Sequence, residues 1–328
     1  MHPRHDATAW CYVSGWVSVL ETQLLGEEVY RSLLEARNPE TAWGVLSKTG
    51  YRAHFGGPED LRDFEQALQR FSVEQRVALR ALCPDPGLVA FFDFDRQYRA
   101  ERARWTGSRE EGAEAASLLP VEGFLQAFPE IGRPPFVEEY EAAFAAALGG
   151  ARSLPKGAFS ALLDSLYLSL LLSWGRQWSG TLIQEYVERY VQVKVVEMVL
   201  RSVHRRMDVR QLDQVLFLGP LRTDAVAAFL GGEEISDSLN LVETLLPSGF
   251  PLSAAEVTSS LEAFQRAAER FLLEAIEPAR YVVFGPERAF GYLCGLRNQE
   301  INVRFCLSAV LYSLDSRSIG ERLRPIYV

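Results

Sequence analysis

Apolar residues recur along this chain at intervals of three and four positions, whereas clean alternation of apolar and polar residues is absent. The clearest stripe consists of Val257, Leu261, Phe264, Ala268, Phe271, Leu272 and Ala275. Residues at this spacing lie on one face of an α-helix. The sequence also lacks the Asn-Gly and Asp-Gly pairs that mark tight hairpins. The pattern therefore predicts an all-α protein.

The C-terminal part of the sequence predicts a long helix followed by a short one. Pro286 can occupy a first helical turn, where its missing N–H group costs nothing, and the next proline is Pro325. We therefore expect one helix that extends to Leu314. Asp315 and Ser318 are typical helix-start residues, so a second helix is expected before Pro325.

This succession of helices recurs along the chain and predicts an internal repeat. The first part of each unit is a long helix, at residues 59–82, 159–178 and 254–276. The second part is another long helix, at residues 87–105, 182–207 and 287–314. Short helices follow at residues 121–128, 209–216 and 318–323, and further short stretches at residues 137–148 and 223–229. The second helices end roughly a hundred residues apart, which is the length of a small domain.

The repeat predicts three related helical-bundle domains in a pseudo-threefold arrangement. Clusters of glycine and proline separate the units, at Gly56-Gly57-Pro58, at Gly149-Gly150 and between Pro247 and Pro251. The predicted organisation is a set of N-terminal helices at residues 1–56 that pack on the bundles, followed by domains at residues 57–152, 153–250 and 251–328. Each domain is long enough to bury a core of its own.

The N-terminal residues predict further helices. The pattern of residues 7–25 is that of an amphipathic helix, and Asn38 is a good N-cap for a helix with Pro39 in its first turn. Three glycines, Gly15, Gly291 and Gly295, fall inside predicted helices. Each costs about 1 kcal/mol relative to alanine, so we expect a neighbouring element to approach closely at each position.

Composition and charge narrow the functional classes. The net charge of −9 argues against a general nucleic-acid binder, which usually has a basic face. The four cysteines show neither a Cys-x-x-Cys pair nor metal-ligand spacing with histidine, so we expect reduced thiols and no metal site. The longest apolar run, residues 158–175, contains Asp164 and is shorter than the roughly 20 residues of a membrane span. We therefore expect a soluble, cytoplasmic protein.

Motifs of known catalytic chemistry are absent from the sequence. It contains no phosphate-binding loop of the GxxxxGK[ST] type, no GxGxxG, no GxSxG and no HExxH. Of the four histidines, His204 lies in a basic segment at a predicted helix end, where the helix dipole favours cations. We therefore expect neither a catalytic site nor a cofactor. The alternative, an all-α enzyme whose site is built from scattered side chains, predicts a deep pocket with perturbed carboxylates or histidine.

Arginines cluster at corresponding places in the predicted repeat. The second helices of the first two units end in Arg96, Arg99, Arg102 and Arg104 and in Arg201, Arg205 and Arg206. In an acidic protein such clusters can form a directed surface for a partner. The candidate partner-binding residues are Arg99, Arg104, Arg201, Arg205 and Arg206. The alternative is that these arginines pair with glutamates of their own helices, such as Glu101 and Glu197.

Several motifs resemble those of one protein family, in the order in which that family has them. The C-terminal motifs are Gly285-Pro-Glu, Tyr292, Glu300-Ile-Asn302-Val-Arg304 and Ile319-Gly-Glu-Arg-Leu323. The N-terminal motifs are Tyr12, Glu21, Leu24-Leu25, Tyr30 and Thr49-Gly-Tyr51. A middle segment extends from Leu163-Asp164 to Leu200-Arg201. The chain resembles the family of C-type subunits of A/V-type rotary ATPases, whose eukaryotic members are the d-type subunits of V-type ATPases.

The resemblance implies a fold, a function and partners. It implies three related helical domains arranged as a funnel or socket on the cytoplasmic face of a membrane. A protein of this family is a non-catalytic rotor component of the central stalk, without an active site. It couples the shaft, made by the D and F subunits, to the membrane rotor ring of proteolipid subunits and transmits torque during ion transport.

A second interpretation belongs to a different functional class. Stacked helices also build helical-repeat adaptors, which bind a peptide or protein in an unrelated complex. An adaptor of this kind predicts a concave groove along stacked helix pairs, whereas a rotor subunit predicts a central socket.

Overall fold

The structure, a computed structural model, describes residues 6–110, 120–149, 156–204, 209–231 and 238–327. These ranges contain helices and turns but no strand, which confirms the prediction of an all-α protein. The helices of the first half are α1 Cys11–Glu21, α2 Glu27–Glu35, α3 Pro39–Leu46, α4 Phe64–Leu82, α5 Gly87–Glu110, α6 Pro120–Ala127, α7 Val137–Gly149 and α8 Lys156–Arg176. Those of the second half are α9 Leu182–His204, α10 Val209–Val215, α11 Asp224–Leu230, α12 Ser238–Leu245, α13 Ala254–Ser259, α14 Leu261–Ile276, α15 Pro286–Tyr312 and α16 Ser316–Gly320.

Several predicted helix starts are confirmed at the level of single hydrogen bonds. The side chain of Asn38 accepts a hydrogen bond from the backbone N–H of Thr41 and caps α3. The carboxylate of Asp315 accepts from the N–H of Ser318 and caps α16. Pro286 is the first residue of α15. Asn38 and Asp315 act as expected because a side-chain oxygen at the N-cap satisfies an N–H group that has no partner within the helix.

Three expected helices are interrupted. The apolar stripe at residues 254–276 is divided between α13 and α14, because Ser260 has an extended backbone between them. The helix expected at residues 59–82 begins with a 3₁₀ turn, Pro58–Asp63, before α4. The helix expected at residues 7–25 is a 3₁₀ turn, Ala7–Trp10, followed by the shorter α1. Helix α12 was not predicted. Periodicity shows which residues share a face, but it does not locate a single break.

The chain divides into two compact units. Unit 1 consists of Met1–Val89 together with Leu273–Val328, and unit 2 consists of Ala90–Leu272. The two ends of the chain therefore belong to the same unit, and the boundaries fall within α5 and α14. The finer expectation of three related domains in a pseudo-threefold arrangement stays a prediction.

Helix α15 is the central element of unit 1. It packs against α1, α2, α3 and α4, and it buries apolar side chains along most of its length, including Phe290, Leu293, Val303 and Leu307. At 27 residues it is about 40 Å long at 1.5 Å per residue. Ser313 follows its last residue, Tyr312, and adopts the left-handed conformation with φ 52°, and the N–H of Leu314 then bonds back to the carbonyl of Ala309.

The core of unit 2 is built on the packed pair α8 and α9. Aromatic rings stack around it: Phe91 lies on Trp174 with ring centroids 4.9 Å apart, and Tyr98 lies on Tyr167 at 4.1 Å. Within the described residues, one helix segment, Gly157–Arg176 of α8, is long and apolar enough to span a membrane by composition. Because 72% of its apolar window is buried inside the protein, that composition is accounted for by the core of unit 2.

Candidate partner-binding surfaces

The arginines of α5 are exposed and are paired within the unit. The guanidinium of Arg99 lies 2.6 Å from the carboxylate of Asp95, one turn earlier on the same helix. Arg104 lies 3.5 Å from Glu101, and its guanidinium is also stacked over the ring of Trp105. Both arginines keep more than half of their side-chain surface in water. They therefore remain available to a partner, but they do not lack counter-charges.

The arginine predicted at the end of α9 belongs to a half-buried charge cluster. Arg201 lies 2.6 Å from Glu197, and Lys194 lies 2.9 Å from the other oxygen of the same carboxylate. The side-chain amide of Gln265 in α14 donates a third hydrogen bond to Glu197. Burial acts to raise the pKa of Glu197, but Lys194, Arg201 and these hydrogen bonds outweigh it and lower that pKa below its ordinary value. Glu197 is thus held as a carboxylate.

A second carboxylate of unit 2, which is half-buried, behaves in the opposite way. Asp164 in α8 forms an ion pair with Arg102 of α5, with Nε 3.5 Å from Oδ1. This contact is long for an ion pair. Burial raises the pKa of Asp164 to about 7, although the charges of Arg201 and Lys194 act to lower it. Asp164 therefore titrates near neutral pH, while Glu197 stays ionised.

Two of the five predicted site residues, Arg205 and Arg206, lie outside the described residues. The arginines of the third predicted unit form ion pairs in unit 1. Arg288 of α15 lies 2.7 Å from Glu21 of α1, and Arg304 contacts both Glu65 of α4 and Glu300. These two arginines connect helices of unit 1, so they serve the fold of that unit.

The surface that sequence analysis missed is apolar and lies in unit 1. The segment before α15, Tyr281-Val282-Val283-Phe284, places three of its four apolar side chains in water, and Tyr281 is 79% exposed. The N–H of Gly285 donates a hydrogen bond to Ser14 Oγ of α1, which joins this segment to that helix. On α1, Tyr12 and Val19 are 71% and 58% exposed. We name the exposed side chains of Tyr12, Val19, Tyr281, Val283 and Phe284 the apolar surface.

Helix α1 is apolar on both of its faces. Its buried face is formed by Val13, Val17 and Leu20, and its outer face carries Tyr12 and Val19 at a spacing of seven residues, which is two helical turns. Gly15 lies between these two residues and has no atom near its Cβ position. The expectation of a close helix contact at Gly15 is therefore wrong in this chain. A helix that is apolar all round is normally covered on all sides.

A smaller apolar pair lies at the opposite end of α15. Tyr312 is its last residue and is 69% exposed, and Leu314 follows the left-handed turn at Ser313 and is also exposed. We name these two side chains the distal apolar pair. Helix α15 thus has exposed apolar side chains just before its first residue and at its last, about 40 Å apart along the helix axis.

The motifs at the two ends of the chain meet around α15. The side chain of Gln299 accepts a hydrogen bond from the N–H of Leu25 at 2.7 Å and donates one to the hydroxyl of Tyr51. The carboxylate of Glu300 accepts from Ser72 of α4. These contacts join residues more than 200 positions apart in the sequence. Gln299 directly precedes the Glu300-Ile-Asn302-Val-Arg304 motif, so the segments that carry the N-terminal and C-terminal motifs contact each other within unit 1.

The C-terminal segment is held against α15 by Asn302 of the C-terminal motif and by Asn298 one turn before it. Asn302 exchanges two hydrogen bonds with the backbone of Arg324, and Asn298 donates one to the carbonyl of Pro325. The ring of Tyr327 then lies against Gly291 and Gly295, where a Cβ atom would collide with it. The close approach expected at these two glycines is confirmed, and the neighbour is the C-terminal segment.

Groups that could perform chemistry are sparse in the described part of the chain. Its histidine, cysteine and acidic side chains form no group of three that could hold a metal ion. Burial raises the pKa of the Cys83 and Cys306 thiols to about 12, which keeps both protonated. Unit 1 contains a small cavity of about 10 Å³, far below the 300–1,000 Å³ typical of small-molecule sites. It is lined partly by Asn298, Asn302 and Tyr327, which hold the C-terminal segment.

Comparison of the sequence with models of known protein families gave no match, and comparison with curated proteins gave no significant match.

Two features of the sequence could have been used to predict the apolar surface. Tyr281-Val-Val-Phe284 is an apolar run between Pro278 and the Gly285-Pro286 pair, so it is too short for a helix. Residues 7–20 contain no charged residue. Exposed apolar runs outside regular structure are unusual in soluble proteins unless they bind something.

Proposed function

We propose that this chain is a non-catalytic rotor component of an A/V-type rotary ATPase, in which it couples the shaft to the membrane rotor ring. The observation that carries the proposal is the meeting of the motifs in unit 1. Segments from both ends of the sequence that resemble that family contact each other through Leu25, Tyr51 and Gln299. Motifs that are scattered in sequence but joined in one core are expected of a shared fold, and are not expected of chance likenesses.

The arrangement of the exposed side chains also supports a coupling role. A protein that transmits torque between two partners needs two separate binding surfaces, held apart by an element that does not bend easily. Helix α15 is continuous over 27 residues, and the apolar surface and the distal apolar pair lie at its two ends. The exposed arginines Arg99, Arg104 and Arg201 are additional candidate contacts. Arginines of this kind would steer association more than they would strengthen binding.

The proposed partners are the D and F subunits of the shaft and the proteolipid ring, at the cytoplasmic face of the membrane. The three-domain socket shape is part of the same proposal. No cofactor and no reaction are assigned to the chain itself.

The test is affinity purification of the tagged chain from native membranes solubilised in mild detergent, followed by mass spectrometry. We expect shaft subunits and proteolipid to be recovered with it. A matched control is the tagged variant Gln299→Leu, which removes the contact between the motif segments at similar volume and should recover less of both. Recovery of an unrelated complex, without rotary ATPase subunits, would favour the helical-repeat adaptor and overturn the proposal.

A further inference from the structure

One face of α15 is covered by the C-terminal segment and not by another helix. It consists of residues at intervals of four, three and four positions, which are Gly291, Gly295, Asn298 and Asn302. Side chains at this spacing share one face of a helix. The face therefore has two amide side chains at one end and no side chain at the other, and we name it the α15 groove.

The backbone of residues 323–327 is held in this groove by the two asparagines. The segment has no regular secondary structure. Asn302 donates a hydrogen bond to the carbonyl of Arg324 at 3.0 Å and accepts one from the N–H of the same residue at 2.7 Å. Asn298 donates to the carbonyl of Pro325 at 3.2 Å. These bonds reach peptide groups, so they hold an extended chain in place whatever its side chains are.

Tyr327 is the side chain that the groove recognises. Residues 323–326 are half-buried, whereas Tyr327 is 2% exposed. A Cβ atom on Gly295 would lie 2.8 Å from the Cβ of Tyr327, so the ring fits only because glycine is present. The guanidinium of Arg280 lies 5.9 Å from the centroid of this ring, within reach of a cation–π contact. The groove is therefore shaped for an aromatic residue three positions after the residue that Asn302 holds.

The segment fits the groove incompletely. The hydroxyl of Tyr327 is buried and has no hydrogen-bond partner among the described residues, which costs free energy. A cavity of about 10 Å³, enough for one water molecule, remains between the segment and residues such as Leu25 and Tyr30. The segment is therefore bound less tightly than a fully matched core element.

The segment can leave the groove without uncovering the main core of unit 1. The buried side chains of Leu293, Leu296 and Leu307 lie on the opposite side of α15 from the groove. They stay covered by the other helices of unit 1 when residues 323–327 move away. Local opening of this kind occurs where few buried apolar contacts hold a segment.

We propose that residues 323–327 form a strap that opens as a unit, and that the α15 groove beneath it is a peptide-binding site whose ligand is this segment. The asparagines bind its backbone, and the glycines accept its aromatic ring. Because the strap belongs to the same chain, its effective concentration at the groove is in the millimolar range, so it keeps the groove closed. This inference rests on contacts within unit 1 and does not depend on the proposed function.

The first test is binding of a fluorescein-labelled peptide with the sequence of residues 322–327, Arg-Leu-Arg-Pro-Ile-Tyr, measured by anisotropy. The full-length variant Tyr327→Ala, whose groove lacks its aromatic occupant, should bind the peptide at micromolar to submillimolar concentration. The parent chain should bind it at least tenfold more weakly, since its own strap competes. A peptide with alanine in place of tyrosine should lose binding at least tenfold, whereas one with phenylalanine should bind at least as tightly, because the hydroxyl has no partner.

Two glycine substitutions locate the binding site. Gly295→Ala, added to Tyr327→Ala, should abolish peptide binding because the new Cβ atom occupies the place of the ring. The matched control is Gly15→Ala in the same background, since Gly15 also lies inside a helix but has no atom near its Cβ position. This control should bind the peptide normally. Circular dichroism checks that each variant is folded.

The second test follows the strap itself and does not depend on the stability of Tyr327→Ala. The parent chain is labelled with 3-fluorotyrosine, and the fluorine signal of Tyr327 is assigned by its loss in Tyr327→Phe. In the single variant Gly295→Ala, this signal should move to the position of a solvated tyrosine, while those of Tyr30 and Tyr51 stay unchanged. Unlabelled peptide at about 10 mM should produce the same shift in the parent chain.

Several results would overturn the inference. In the first test these are absence of binding by folded Tyr327→Ala, equal binding of the alanine peptide, or an equal loss in the Gly15→Ala control. In the second test, a Tyr327 signal that stays buried in Gly295→Ala would show that the strap does not open. Signals of Tyr30 and Tyr51 that move together with it would show that the segment is an inseparable part of the core.

Discussion

The arginine-bearing helices of unit 2 and the apolar surface of unit 1 expose very different chemistry to water. Arg99 and Arg201 each have a carboxylate at 2.6 Å within their own helix. Tyr281 and Val283 point into solvent and are mostly exposed. An exposed charge is well solvated and gains little from a further partner, whereas an exposed apolar side chain is stabilised when something covers it. The apolar surface is therefore the stronger candidate for a contact that holds a partner.

The largest expected effect is on the free energy of unfolding, when a buried tyrosine of unit 1 is replaced rather than an exposed one. Tyr327→Ala should lower the free energy of unfolding by about 3 kcal/mol, because the ring fills the space at Gly291 and Gly295. Tyr281→Ala should change it by less than about 0.5 kcal/mol. Both values can be obtained by urea denaturation followed by circular dichroism.

A control variant isolates the packing of the Tyr327 ring. The hydroxyl of Tyr327 is buried and has no hydrogen-bond partner within the described ranges, so Tyr327→Phe should be neutral or slightly stabilising. A loss of stability in Tyr281→Ala as large as that in Tyr327→Ala would show that the apolar surface is part of the fold and not a free contact surface.

The next effect concerns Asp164 and depends on pH. Its pKa is about 7 in the folded chain, against 3.8 in the unfolded chain. The folded state therefore binds the proton more tightly, and its stability falls as the pH rises from about 4 to 7. Asp164→Asn should remove this slope and should be more stable than the parent by about 2 kcal/mol at pH 8. Chemical denaturation at a series of pH values measures both, and an unchanged slope in the variant would contradict the assignment.

Glu197 should have a smaller effect of opposite sign. Its pKa is lowered in the folded chain. The ionised carboxylate therefore stabilises the folded chain above its ordinary pKa of 4.5, and this stabilisation is lost as the pH falls below that value. Glu197→Gln should destabilise the chain at pH 7 by about 1 kcal/mol, since Lys194 and Arg201 would lose a shared partner but remain partly hydrated. The same denaturation series gives this value, and a more stable variant at pH 7 would show that the cluster does not favour folding.

The smallest effect belongs to the exposed arginines. Arg99→Gln should change the free energy of unfolding by less than about 0.5 kcal/mol, because an exposed ion pair one turn apart contributes little. Differential scanning calorimetry at low and high salt checks this value. A loss above about 1 kcal/mol would mean that the arginine is structurally required, which would weaken its use as a contact probe.

Local features could be predicted well from the sequence, and the assembly of the helices less well. Asn38 and Asp315 cap the expected helices because an N-cap acts through neighbours three residues away. The division into two units was not expected from the repeat, since that division depends on contacts between the two ends of the chain. The close contacts at Gly291 and Gly295 were expected from the cost of glycine in a helix, but Tyr327 could not be identified as the neighbour.

The candidate binding surfaces, too, could be predicted only in part from the sequence. The clustering of charge in the sequence singled out Arg99 and Arg201, but whether an arginine has a counter-charge depends on side-chain directions that the sequence does not give. The lack of charge in residues 7–20 marked an apolar segment, but it could not show that Tyr12 and Val19 are exposed, because an apolar helix face looks the same in sequence whether it is covered or not. Solvent exposure was needed to separate the two cases.

The most direct measurement is amide hydrogen exchange, compared between the isolated chain and the assembly recovered with it from native membranes. We predict that residues 281–285 and the amides of α1 exchange more slowly in the assembly, while the amides around Arg99 and Arg104 change less. Slower exchange confined to the arginine-bearing ends of α5 and α9, with residues 281–285 unchanged, would contradict a docking role for the apolar surface.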